Sequence, residues 1–322
     1  MELSRPFVRL PYNFDAERLK HELEQLEPGL WMQHPSRVNG NSAVPLVSLN
    51  GRDNDDFSGQ MLPTPHLKRC EYMQQVMASF GEVLARSRLM KLAAGAQVTP
   101  HVDFNYHWYN RVRIHIPIVT NPEVIFYCGD EQRHMQAGEC WIFDSWREHN
   151  VINSSDQDRV HLVIDTAGSS RFWQTVRKAE QFDEAAQEFE LRPYVDGQTP
   201  ELATERFNVL PVMSPGELEA IARELVADFS ANTNNDPDIV NEYRELLDDL
   251  AKDWREVWHQ YGIRKQGFPR YQTLLKRTMS QLRPEPRALV THSNNVGVNP
   301  IIVQRILRAA LFPQQRDAYL MD

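Results

Sequence analysis

The sequence predicts a mixed fold: a β-sandwich or jelly roll with flanking N-terminal helices over residues 1–190, and an α-helical domain over residues 205–322. Three observations predict it. Short apolar runs broken by turn residues fill the first half, at the spacing of an all-β sandwich. Helical periodicity with capping signals takes over in the second half. Residues 186–210 contain Pro193, Gly197 and Pro200 and read as the connection. A chain of 322 residues also has room for two domains of about 150 residues each.

Phe7-Val8-Arg9-Leu10 reads as a strand, after which Asp15 caps a short helix with Leu19, Leu23 and Leu26 on one face. A strand over 43–49 follows, then the polar loop Asn-Gly-Arg-Asp-Asn-Asp-Asp, then a helix over 70–80. From Val83 the pattern is short strands: 83–92, 112–119, 123–128, 140–144 and 159–166. The strand Val-Arg-Ile-His-Ile-Pro-Ile-Val alternates cleanly. Val112, Ile114, Ile116 and Ile118 share one face; Arg113 and His115 share the other. In the second half, Ser214-Pro215-Gly216-Glu217 is a capping box, with Leu218, Ile221, Leu225 and Phe229 on one helical face. A longer helix over 238–261 carries the stripe Tyr243, Leu246, Leu247, Leu250, Trp254 and Trp258, which reads as core. Two more helices are predicted over 269–282 and 299–311.

Net charge is −9, which argues against a nucleic-acid partner, since such a partner requires a basic surface. The cysteines, Cys70, Cys128 and Cys140, form no C-x-x-C pair, so a zinc ribbon or dithiol redox site is not expected. Their sparse, odd number fits a reducing compartment. No stretch approaches the roughly 18 apolar residues that span a bilayer, and the N-terminal residues lack a signal-peptide core. The expectation is a cytoplasmic protein with no membrane partner.

His101-Val102-Asp103 places two ligand-type side chains on the same face of an extended segment. Two histidines and one carboxylate on one face of a metal suit iron(II) and leave positions open for other ligands. An H-x-D triplet is common by chance, and a lone histidine is more often a hydrogen-bonded core or surface residue. His149 supplies the third ligand, far enough along the chain for a later strand to return beside the first. Arg159 opens the apolar strand Arg-Val-His-Leu-Val-Ile-Asp. A buried arginine requires a partner, either an internal Asp or Glu or the carboxylate of a bound diacid.

These residues resemble a known family. Residues 87–166 carry Gly95, the H-x-D pair, the Arg113-x-His115-x-Pro117 strand, the Ala-Gly-Glu turn, and His149-x-Val-x-Asn153 running to Arg159. Together they resemble the aspartyl/asparaginyl β-hydroxylase family of Fe(II)/2-oxoglutarate-dependent oxygenases. The resemblance implies a double-stranded β-helix, cupin-like core, iron(II) as metal, 2-oxoglutarate as co-substrate and O2. It implies that His101, Asp103 and His149 bind iron and that Arg159 holds the distal carboxylate of 2-oxoglutarate. It places Arg113 and His115 by the 1-carboxylate end; Arg88, on a strand face with Met90, is expected to line the same pocket. Because Asp103 is kept, the chain is closer to the bacterial branch that includes cis-proline hydroxylases, and halogenation is disfavoured.

The activity implied is hydroxylation of an unactivated C–H bond of an amino acid or its derivative, with succinate and CO2 as co-products. A residue in a peptide or protein is the alternative substrate. Candidate substrate contacts are Trp31, Arg37, Asn39, Arg52, Asn105, His107 and Trp108; Asn153 and Asp165 read as structural. A cupin-like metal protein without 2-oxoglutarate, with zinc or nickel on His101 and His149, is the rival class. A decayed binding protein is a weaker rival, because the H-x-D pair, the second histidine and the arginine are all intact. The helical half is expected to cap the pocket, support the barrel or form a homodimer.

Overall fold

The computed structural model describes residues 2–33, 38–181 and 188–314. Among them the strands are β1 (Phe7–Phe14), β2 (Met32–Gln33), β3 (Asn41–Leu49), β4 (Met61–Pro63), β5 (Leu84–Leu92), β6 (Gln97–His101), β7 (Val112–Val119), β8 (Val124–Cys128), β9 (Glu131–Arg133), β10 (Glu139–Phe143), β11 (His149–Asn153), β12 (Arg159–Thr166) and β13 (Glu190–Arg192). The helices are α1 (Ala16–Glu24), α2 (Glu71–Ser79), α3 (Tyr106–Tyr109), α4 (Ser170–Gln181), α5 (Pro215–Ala231), α6 (Pro237–Tyr261), α7 (Phe268–Gln281) and α8 (Val298–Ile301). The chain forms two compact units: Met1–Asp103 with Asn110–Arg206, and Phe104–Tyr109 with Phe207–Asp322.

The first unit is the predicted sandwich. Its large sheet runs β13-β1-β10-β7-β12-β5-β3-β2, with β4 also paired to β3; a four-stranded sheet runs β6-β11-β8-β9. Neighbours are antiparallel except β13, which lies parallel to β1. Alternation in β7 decides which residues go where. Val112, Ile114, Ile116 and Ile118 join an apolar core with Leu19, Met73, Val76, Phe172 and Val176 from α1, α2 and α4. Each such buried aliphatic contributes about 1.5–3 kcal/mol. The opposite face of β7 turns towards the small sheet, where His115 meets Phe126 of β8 at 5.8 Å between ring centres.

Local signals explain the surrounding helices. The Asp15 carboxylate accepts from the Arg18 amide at 3.0 Å and caps α1. Glu22 is buried on α1 because its carboxylate accepts from the first amides of α2, Tyr72 at 2.6 Å and Met73 at 3.0 Å. Helix α4 was not predicted, although Phe172, Val176 and Ala179 form its buried stripe. Residues read as a connection contribute to this unit: β13 extends the sheet, and Thr204 bridges to Leu84.

The second unit is helical. Ser214 Oγ accepts from the Glu217 amide at 3.3 Å, as the capping box requires. Leu218, Ile221, Leu225 and Phe229 of α5 are buried, as are Tyr243, Leu247, Leu250 and Trp254 of α6. The Trp254 indole donates to the Met213 carbonyl at 2.9 Å, so Trp254 is core, as expected. The last predicted helix is shorter in α form: α8 ends at Ile301 and passes into a wider π-helical turn over Ile302–Leu307. Phe104–Tyr109 belongs to this unit through its contacts. Tyr106 donates to Glu217, the Tyr109 hydroxyl donates to Glu224 at 2.7 Å, and the Arg305 guanidinium donates to the Phe104 carbonyl at 3.1 Å. Among the described residues, no helix is long and apolar enough to cross a membrane.

Candidate active site

Strands β6 and β11 bring the candidate metal ligands together. They pair antiparallel with His101 directly opposite His149, and the two imidazole centres are 4.3 Å apart. Asp103 follows β6, its amide donating to the Ser145 carbonyl at 3.0 Å. One ligand atom from each of His101, Asp103 and His149 lies within 4.8 Å of the others. His149 Nε2 is 3.9 Å from Asp103 Oδ2.

Backbone carbonyls fix both rings. His101 Nδ1 is 2.8 Å from the Thr99 carbonyl, and His149 Nδ1 is 2.9 Å from the Arg147 carbonyl. A carbonyl only accepts, so each Nδ1 carries the proton and each Nε2 keeps its lone pair for a metal. Burial holds the His149 pKa down to about 4, against the opposing pull of the Asp103 charge. His149 is therefore neutral at physiological pH, the form that ligates.

Turns on either side hold the strands in place. Asp144, fully buried, accepts from the Trp146 amide at 3.0 Å and from Arg147 Nε at 3.0 Å, shaping the turn into β11. The Asn153 side-chain amide donates to the carbonyls of Leu92, Ala93 and Gln157. It ties the turn before β6 to the loop before Arg159. Gly95, in that turn, sits at φ +66° and donates to the Ser155 carbonyl. Asn153 is thus structural, as read from the sequence.

Next to the triad lies a cluster of buried polar side chains, several of whose atoms have no protein partner. Phe143 is 4.9 Å from the His149 ring and 5.1 Å from the His115 ring. His115 is 5.7 Å from His161, and His161 stacks on Phe126 at 5.5 Å. Arg159 lies over the other part of Phe126, 4.8 Å from the ring centre. Arg159 Nη2 donates to His161 Nδ1 at 3.0 Å, so His161 carries its proton on Nε2. That Nε2, both nitrogens of His115 and Arg159 Nε are buried with no hydrogen-bond partner. Each unsatisfied group of this kind costs about 1–3 kcal/mol.

Arg159 has no counter-charge. Burial alone pulls its pKa down to about 9, and among the described residues no carboxylate pairs with it. The alternative of an internal salt bridge is therefore not what the fold builds. Burial also depresses His115 and His161 well below the usual imidazole value, helped by the neighbouring Arg159 charge.

A second group holds three guanidiniums, Arg86 and Arg88 buried and Arg113 part-buried. Arg113 makes a two-toothed pair with Asp165, Nε–Oδ1 2.7 Å and Nη2–Oδ2 3.0 Å. It is near enough to the triad for the Asp103 charge to act on it. Arg88 Nη1 donates to Asp55 Oδ1 at 2.6 Å, while Arg88 Nη2 has no partner. Arg86 donates to the Asp55 carbonyl at 2.9 Å and lies 3.8 Å over the Phe57 ring.

Among the other candidates, His107 and Trp108 are buried against each other edge-to-face in the second unit. Asn105 caps that turn, accepting from the Trp108 amide at 3.4 Å. Trp31 packs against the apolar core with Lys91 4.7 Å over its ring, which suits a structural role. Asn39 and Arg52 are exposed, and Arg37 lies outside the described residues. Three residues of the site escaped sequence reading. His161 was legible, standing two positions after Arg159 on the same strand face. Asp55 and Arg86 meet only through a loop that carries no periodic signal.

Comparison with known proteins finds similarity to one enzyme family. Residues 51–168 match the family described as "Aspartyl/Asparaginyl beta-hydroxylase". The resemblance read from residues 87–166 holds. Within this family match lie the triad, Arg88, Arg113, His115 and Arg159. The chain is 26% identical to an L-proline cis-3-hydroxylase of a Streptomyces species, over 61% of this chain and 64% of that protein. It is 25% identical to an L-proline cis-4-hydroxylase of Rhizobium meliloti, over 52% of this chain and 63% of that protein. The chain thus spans a little under two thirds of the length of either relative. A 2OG-Fe(II) oxygenase-family oxidoreductase from Burkholderia pseudomallei superposes with a TM-score of 0.37 at 13% identity, covering 51% of this chain and 85% of its own.

Proposed function

We propose that this protein is an iron(II)- and 2-oxoglutarate-dependent hydroxylase of an amino acid, with succinate and CO2 as co-products. The observation that carries this reading is the cluster of unpartnered buried polar atoms beside the triad. Its buried Arg159 has neither a counter-charge nor a full set of acceptors. A dicarboxylate with one end on the metal and the other on Arg159 removes both costs. A metal protein of the cupin type with no diacid gives Arg159 nothing to pair with.

The donor set fits the metal. His101 Nε2, His149 Nε2 and an Asp103 oxygen offer two imidazoles and one carboxylate, the set that suits iron(II) with open positions. Bound there, iron with 2-oxoglutarate would supply the oxidising power for hydroxylation, with succinate and CO2 as co-products. The chain's own residues bind, orient and exclude water. Arg159 and the Nε2–H of His161 receive the distal carboxylate. Phe126 and Phe143 pack on His115, His149 and His161 and would shield the bound group from water. Arg113 and His115 stand by the other carboxylate, with Arg113 held in one orientation by Asp165. Arg88 belongs to a group of three guanidiniums against two carboxylates, Asp55 and Asp165. Arg88 Nη2 has no protein partner, and the carboxylate of an amino-acid substrate would supply one.

Proline is the first substrate to test, because both relatives are named for it. Purified protein with ferrous ion, ascorbate and 2-oxoglutarate is incubated with each free amino acid, and succinate and a gain of one oxygen are measured by mass spectrometry. Coupled succinate and hydroxylated amino acid support the reading. Product from acylated or peptide substrates only would favour the protein-residue alternative.

A further inference from the structure

The group of guanidiniums contains two ion pairs of different kinds. Arg113 and Asp165 face each other with two hydrogen bonds, at 2.7 Å and 3.0 Å, so the two edges are used together. Arg88 and Asp55 share a single bond, Nη1 to Oδ1 at 2.6 Å. Arg88 Nη2 is buried with no partner. Asp55 Oδ2 has none among the described residues either, because Arg86 contacts the Asp55 carbonyl and, at 3.5 Å, the same Oδ1. This pair therefore leaves one buried guanidinium nitrogen and one partly exposed carboxylate oxygen without a protein partner.

A free α-amino acid has the complementary arrangement, a carboxylate and an ammonium on one carbon. An acylated amino acid, or a residue within a peptide, lacks the ammonium. Asp55 comes from the loop between β3 and β4, whose shape is fixed by the Asn54 side chain donating to the carbonyls of Leu49 and Arg52. Its side chain is partly exposed, whereas Arg86 and Arg88 beneath it are 3% and 1% exposed. Arg88 lies on the same sheet face as His115, since Val163 of β12 pairs directly with both.

We propose that Asp55 is a specificity-determining residue that accepts the substrate's α-ammonium through Oδ2, so that the enzyme selects free amino acids over N-acylated ones. The inference rests on the hydroxylase reading above and goes beyond it in assigning the substrate class to one residue. Proline fits the same test, since its ring nitrogen is a protonated secondary amine.

The experiment uses the full chain with ferrous ion and 2-oxoglutarate. The amino acid turned over best in the free-amino-acid panel is compared with its N-acetyl derivative, in wild type, Asp55→Asn and Asp55→Glu. Wild type should prefer the free form at least hundredfold in kcat/KM. Asp55→Asn should raise KM for the free form ten- to hundredfold with kcat within threefold, and lose most of the preference. Asp55→Glu should recover part of it. KM for 2-oxoglutarate and ferrous-ion binding should stay at wild-type values in all three, and a thermal melt confirms that each is folded. An unchanged preference in Asp55→Asn overturns the inference, as does equal turnover of the acetyl derivative by wild type. Binding of ferrous ion and 2-oxoglutarate without turnover of any free amino acid overturns it too, while leaving the oxygenase site standing. Failure to bind either ligand removes the underlying reading itself.

Discussion

The two faces of the large sheet follow opposite rules. Outward from β7, Val112, Ile114, Ile116 and Ile118 pack against α1 and its neighbours in a continuous apolar core. Inward, the same strand presents the part-buried Arg113 and the buried His115, and β12 adds the buried Arg159 and His161. On that face four nitrogens of His115, His161 and Arg159 have no partner. The outer face of β7 is apolar, and the inner face leaves polar atoms without protein partners. Burial shows where a chain is folded, and unsatisfied buried polar groups show where it waits for a ligand.

The contrast can be broken at several points. The largest effect is expected from Asp103→Ala. Succinate formation should fall more than about a hundredfold, since ligand loss exceeds the 10- to 100-fold typical of outer-shell changes. The melting temperature of the metal-free protein should hold or rise, because a charged group leaves a partly buried site. Ile114→Ala should do the reverse, costing about 2–5 kcal/mol of stability through the cavity it leaves. Urea unfolding should show the loss, with turnover per folded molecule unchanged. His115→Leu sharpens the point. Removing two unpartnered nitrogens should leave the ligand-free protein as stable as wild type or about 1 kcal/mol more so, while 2-oxoglutarate binding weakens.

The smallest effect is on acid stability. His115 and His161 have pKa values well below the usual 6.5, because burial opposes their charging. As pH falls through about 6.5 the unfolded chain takes up protons that the folded chain refuses, so stability drops with acidification. Melting temperatures at pH 7.5 and pH 5.5 should differ less in His161→Gln than in wild type.

How much of this was legible in the sequence follows from the range of each interaction. The outer and inner faces of β7 were readable because a strand alternates residue by residue. His101, Asp103, His149 and Arg159 stood out because their side-chain chemistry is informative and their spacing suits returning strands. The short strands β6 and β11 that bear the ligands were not read as strands. Their sequences, Gln-Val-Thr-Pro-His and His-Asn-Val-Ile-Asn, are too brief and polar for a periodic signal. Asp55 was beyond reach, since nothing in a polar loop announces a partner 33 positions away. Phe104–Tyr109 was read with the first half, yet its hydrogen bonds are to Glu217, Glu224 and Arg305, contacts that only folding reveals.

The most direct test is calorimetric titration of 2-oxoglutarate into ferrous-loaded protein without oxygen, in wild type and Arg159→Leu. Wild type should bind one equivalent only when metal is present. The variant should bind about a hundredfold more weakly, the loss expected when a buried charge pair loses one partner. Equal affinity in the two proteins, or binding indifferent to metal, would contradict the account.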